Sequence, residues 1–185
     1  DHFPQLHVRL KVANSAELAR RVASRALQAA VVDAATEAAG VIATACGSDE
    51  VVVMVAPDHP LAKSSKVRAK ALGDYELVAR EPGSGTRAAV DAWFRSAGFE
   101  PGALKVQMEL GSHEALLNMA AAGLGCAFAS RRSAAAWIDA GRLRALRLEP
   151  PLQRGFHILV AEERFRPRAV VEFVATATRH LKENA

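Results

Sequence analysis

The stretch Val51 to Ala56, VVVMVA, is unbroken by any polar residue and is made largely of β-branched side chains. Such a run suits a strand covered on both faces, as in the middle of a parallel or mixed sheet with helices above and below. The rest of the chain agrees with it by alternating short apolar runs with helical periodicities. Strands are expected at His7–Ala13, Ala29–Val32, Val41–Ala45, Glu76–Ala79, Val106–Leu110, Cys126–Ala129, Leu143–Leu148 and Phe156–Ala161. Helices are expected at Glu17–Ala26, Ala88–Ala97, Ser112–Ala122 and Ala134–Ala140. A last helix is marked by the stripe Val170, Phe173, Val174, Ala177 and Leu181. Alternation of this kind defines an α/β architecture.

Proline breaks at Pro57–Pro60 and at Pro150-Pro151 bracket a middle section. If the chain crosses between two units at both breaks, residues 1–56 plus 156–185 form one lobe and residues 57–155 a second. Two crossings leave a central cleft, a common place for a small ligand. The 185 residues, half of them apolar, suffice for two small cores.

Several function classes are excluded early. The net charge of +4 is spread among acidic residues, without the concentrated basic stripe of a DNA-reading surface. Cys46 and Cys126 stand far apart, outside any CxxC, and read as small core residues; no metal and no cofactor is expected. The opening residues are no signal peptide, and no apolar run is long enough to span a membrane. A cytoplasmic location is therefore expected.

The chemistry concentrates in strand-to-helix turns. Gly83-Ser84-Gly85-Thr86 follows a strand and opens a helix, with Arg87 next. The first turn of a helix carries unpaired N–H groups and a partial positive charge, glycine lets a ligand approach, and hydroxyls add donors. Together they make an anion or carboxylate site, and they also make an ordinary helix cap. No lysine follows Gly85, so the turn is not a nucleotide-binding P-loop. Pro82 replaces the leading glycine of a nucleophile elbow, and His157, Asp91 and Asp139 form no constellation with Ser84. Two further turns repeat the chemistry: Asn14-Ser15, and Gly111-Ser112, where Ser112 is an N-cap by type. His113 is the one candidate acid or base near them.

The blocks VVVMVAPDHPLA, LVAREPGSGTRAAVDAWF and GSHEALLNMAAAGLGCAF, with FPQLHVRLKVANSAELARRV before them, resemble the effector-binding domain of LysR-type transcriptional regulators in order and spacing. The resemblance implies a periplasmic-binding-protein-like fold of type 2, with two α/β lobes, a central cleft and two crossover strands. It implies a non-catalytic sensor of a small anionic metabolite, held by the turns at Asn14-Ser15 and Ser84–Thr86 with Ser112 at the border. It implies a homodimer or tetramer that reaches DNA only through an N-terminal domain absent from this sequence. A further strand and helix usual in the family before Phe3 are also expected to be missing. An exported solute-binding protein of the same fold is the alternative, and an enzyme using His113 a third reading.

Overall fold

The computed structural model describes residues 7–34, 38–100 and 102–183. One seven-stranded mixed sheet runs through the molecule. Its strands are β1 (Ala29–Val32), β2 (Val41–Val55), β3 (Lys66–Arg68), β4 (Leu77–Arg80), β5 (Val106–Leu110), β6 (Cys126–Ser130) and β7 (Arg144–Ala161). Their order is β1-β7-β2-β6-β4-β5, with β3 also paired to β7. The β4 ladders to β5 and β6 are parallel, as is β3 on β7, while β2 is antiparallel to both β6 and β7.

The helices are α1 (Ser15–Ala23), α2 (Ala69–Leu72), α3 (Gly85–Ser96), α4 (His113–Ala121), α5 (Ala135–Asp139) and α6 (Arg168–Glu183). Along β2, Val51, Val53 and Val55 pack with Val90, Trp93 and Phe94 of α3. Their neighbours Val52 and Met54 pack with Leu116, Leu117 and Ala120 of α4. The VVVMVA run is thus buried on both faces, as its composition requires. Edge-on contacts of Phe94 with Trp93, Phe99 and Phe128, at 5.1, 5.4 and 5.7 Å between ring centres, fill the α3 side. At the other end of the sheet, Leu18, Ala19 and Val22 of α1 cover Ala30, Val32 and Leu159. Val170 of α6 covers Cys46, Ile158 and Val160 on the opposite face.

Besides β3 and α2, which no expected element covers, sequence and structure differ at four places. The segments expected at Val41–Ala45 and Val51–Ala56 join in one long strand, β2, which ends at Val55, and those at Leu143–Leu148 and Phe156–Ala161 join in another, β7, which starts at Arg144. The polar and proline residues between the paired segments do not end the strands, because register shifts accommodate them. The shift opposite Val51 and Val52 passes over residues 148–151, so neither proline is asked for a ladder N–H to β2. The Pro150 carbonyl instead accepts a 2.8 Å hydrogen bond from the Trp93 indole.

The second difference is His7–Ala13, which forms no strand. Val8, Leu10 and Val12 stand 76, 89 and 87% exposed. Alternation specifies a strand only where a neighbour supplies a ladder, and among the described residues none lies alongside. Third, α3 starts at Gly85 rather than Ala88, which puts Gly85 and Thr86 inside its first turn. Fourth, α1 ends at Ala23, with Arg25 in the left-handed region (φ 60°) that glycine favours.

Candidate functional site

The starts of α1 and α3 meet at a seam. Asn14 caps α1, its side-chain oxygen accepting from the Glu17 N–H at 2.9 Å. The cap is therefore Asn14 and not Ser15, which leaves the Ser15 hydroxyl free for another partner. Ser84 caps α3, its hydroxyl accepting from the Arg87 N–H at 3.4 Å. Across the seam the Ala16 N–H donates to the Gly83 carbonyl at 3.1 Å. Gly83 has φ 90°, and a side chain there would press on Ala16 and Asn14 at 3.1 and 3.2 Å. Both the backbone angle and the close approach require glycine.

A carboxylate lies where the two helix starts converge. Asp33, directly after β1, accepts from the Ser15 hydroxyl at 2.6 Å on one oxygen. On the other it accepts from the Thr86 hydroxyl at 3.0 Å and from Nη1 of Arg154. The same Arg154 nitrogen donates to the Thr86 oxygen. Gly85 leaves room for this group: a β-carbon there would come within 2.8 Å of the Asp33 backbone carbonyl. Burial pushes the Asp33 carboxyl up, but the Arg154 charge and the Ser15 and Thr86 hydroxyls outweigh it and hold it below its ordinary value.

Arg154 projects from β7 with only 10% of its side chain exposed. Its Nη2 lies 3.7 Å from Asp49, a buried carboxylate of β2. The guanidinium sits 5.5 Å from the Phe156 ring centre, and its Nε has no hydrogen-bond partner among the described residues. Nε2 of His113, in the first turn of α4, is likewise buried without a partner among the described residues. Burial lowers the His113 pKa, and the Arg80 and Arg154 charges lower it further against Glu114 and Asp33. The imidazole is therefore neutral at pH 7.

The residues expected at the site divide into those brought together and those spent elsewhere. Asn14, Ser15, Gly83, Ser84, Gly85 and Thr86 lie along the seam. Ser112 caps α4, accepting from the Ala115 N–H at 3.2 Å, and so positions His113 beside it. Arg87 is committed elsewhere: its guanidinium binds Asp91 at 3.0 Å, Glu109 at 2.7 Å and the Arg80 carbonyl at 3.0 Å. It braces α3 against β4 and β5. Asp33 and Arg154 escape sequence reading. The one local signal is that Asp33 ends a strand next to a helix start, where polar groups of α/β sheets gather.

A mixed sheet with helices on both faces and two long strands running its length defines a periplasmic-binding-protein-like regulatory domain of type 2. The chain belongs to the family of the LysR substrate binding domain, whose model matches residues 1–182. It is 31% identical over 176 residues to the HTH-type transcriptional regulator CbbR of Xanthobacter flavus, covering 92% of this chain and 52% of that protein. It is 34% identical over 142 residues to the RuBisCO operon transcriptional regulator of Acidithiobacillus ferrooxidans, covering 75% of this chain and 45% of that protein. The chain thus spans about half the length of these relatives. Among solved structures, the Synechocystis PCC6803 CcmR regulatory domain in complex with 2-PG superposes with a TM-score of 0.86. It is 25% identical, with 98% of this chain and 86% of that one covered. These relatives are transcriptional regulators, neither exported solute-binding proteins nor enzymes, so the chain is an effector-binding module of LysR type. No helix among the described residues is long and apolar enough to cross a membrane.

Proposed function

We propose that this module senses a small, multiply charged anion, a phosphorylated carboxylic acid of the 2-PG kind, at the seam between α1 and α3. The observation that carries this reading is the convergence of two helix starts, two hydroxyls and a nine-tenths-buried arginine on one carboxylate. Ser15, Thr86 and Arg154 grip the anion. Asn14 and Ser84 hold the helix starts in place, Gly83 and Gly85 let it approach, and Ser112 and His113 border it. The 2-PG complex of the CcmR domain supports the choice of ligand class.

The seam is the cleft between two lobes, residues 1–56 with 156–185 and residues 57–155, and β2 and β7 are the crossover strands. The separate packing of α1 and α6 at one end of the sheet and α3 and α4 at the other supports that division. In the cell the module works in the cytoplasm within a homodimeric or tetrameric regulator. DNA is reached through a helix-turn-helix domain of the sort the CbbR name carries.

Ligand that binds only the folded state stabilises it, by about 2.7 kcal/mol at a hundredfold excess over Kd. For a chain of this size that is a rise of roughly 5–10 °C in Tm. Thermal shift with 2-phosphoglycolate, glycolate, sulfate and inorganic phosphate is the test. The expected order places 2-phosphoglycolate first. Thr86→Val should weaken its binding by about 1.5–3 kcal/mol, the worth of a hydrogen bond to a charged group. No shift from any of these anions at millimolar concentration contradicts the reading.

A further inference from the structure

We propose that Asp33 is an internal anion that holds the effector's place and is exchanged for the effector when it binds. The inference rests on the effector site proposed above and names what selects its ligand. Both Asp33 oxygens are taken by groups from different elements: Ser15 of α1 on one, Thr86 of α3 and Arg154 of β7 on the other. That is how a free acid would be held, with donors from each side of the seam and a guanidinium behind. Gly85 extends the likeness, since the space a side chain would fill is occupied by Asp33 itself.

Charge argues for exchange over addition. Arg154 already faces two carboxylates, Asp33 and Asp49. An anion entering beside them would place a third negative group around one guanidinium, in a site shielded from water. Replacement of Asp33 keeps the pairing of Arg154 intact. The cost of displacing Asp33 falls on every ligand alike, so only ligands that gain more than a carboxylate does can win. Two polar atoms, Nε of Arg154 and Nε2 of His113, are buried and have no hydrogen-bond partner among the described residues. Asp33 supplies two acceptor oxygens, whereas a phosphoryl group supplies three and can engage donors a carboxylate leaves idle. The internal carboxylate thus filters out simple monocarboxylates and admits phosphorylated acids.

Titration calorimetry of inorganic phosphate, glycolate and 2-phosphoglycolate against the wild type, Asp33→Asn and Asp33→Ala tests this. An internal competitor lowers apparent affinity by the fraction of molecules in which it is bound. Both variants are expected to bind 2-phosphoglycolate at least tenfold more tightly, and to gain measurable affinity for glycolate. Binding by the variants alone also supports the inference. Wild-type binding with equal or weaker binding by both variants overturns it and leaves the effector reading standing. Binding by neither wild type nor variants overturns both. Carboxyl-carbon NMR of the wild type does not depend on how the variants fold. The Asp33 resonance should titrate at a depressed pH in the free protein and return towards the ordinary range when 2-phosphoglycolate saturates it. An unchanged titration overturns the exchange.

Discussion

Asp33 and Arg154 bear the chemistry of the seam, His113 feels the charge of both, and their consequences separate at the level of single side chains. Arg154→Met leaves Asp33 beside two hydroxyls without its counter-charge. Removing one partner of a buried ion pair costs about 3–5 kcal/mol. Asp33 keeps 22% of its side chain in water, so a loss nearer about 2 kcal/mol is expected. Adding Asp33→Leu to Arg154→Met should recover part of it, and urea unfolding of the wild type, both single variants and the double variant would measure the coupling. A sum of independent losses would show that the pair is not a unit.

His113 gives a separate signature. Its pKa lies below the ordinary 6.5 through burial and the nearby Arg80 and Arg154 charges, with Glu114 and Asp33 opposing. A depressed histidine favours the folded state when neutral, so its contribution is complete above about pH 6.5 and declines as pH falls below it. On the proposed exchange, a dianion in place of the single charge of Asp33 would raise the His113 pKa, and binding would then take up protons. Sulfate, whose own charge is constant over the range, should bind more tightly at pH 5.5 than at pH 7.5. His113→Gln should abolish the difference; a difference that persists in that variant assigns the proton elsewhere.

Among the elements, what could be read from sequence was what local chemistry writes. Ser84, Gly85 and Thr86 announce a helix start by themselves, as do the Asn14-Ser15 pair and Ser112, although which of Asn14 and Ser15 is the cap shows only in the structure. The VVVMVA run announces a central strand. Asp33 and Arg154 announce nothing, because their meaning lies in a contact between residues 121 positions apart. The same limit split β2 and β7 into pieces: Gly47, Ser48 and Asp49 look like a turn until Arg154 and the facing strand are in place. His7–Ala13 fails in the opposite sense, with a strand-like pattern and no neighbouring ladder among the described residues. Gly85 ties α3 to the end of β1, and Gly85→Ala forces apart α3 and the Asp33 backbone. Overpacking of this kind costs about 1–3 kcal/mol, and a lowered Tm together with weaker 2-phosphoglycolate binding is expected. An unchanged Tm would mean the two elements are not in contact.

On the scale of the molecule, α1 and β1 belong to one end of the sheet and α3 to the other, and the seam is where the two ends touch. An anion held there, as proposed, would bridge the two ends that β2 and β7 connect. The most direct measurement is a crystal structure of this domain grown with 2-phosphoglycolate. Ligand oxygens are expected within hydrogen-bond distance of the Ser15 and Thr86 hydroxyls and the Arg154 guanidinium, with the Asp33 carboxylate withdrawn. Ligand bound elsewhere, with Asp33 still held by Ser15, Thr86 and Arg154, would contradict it.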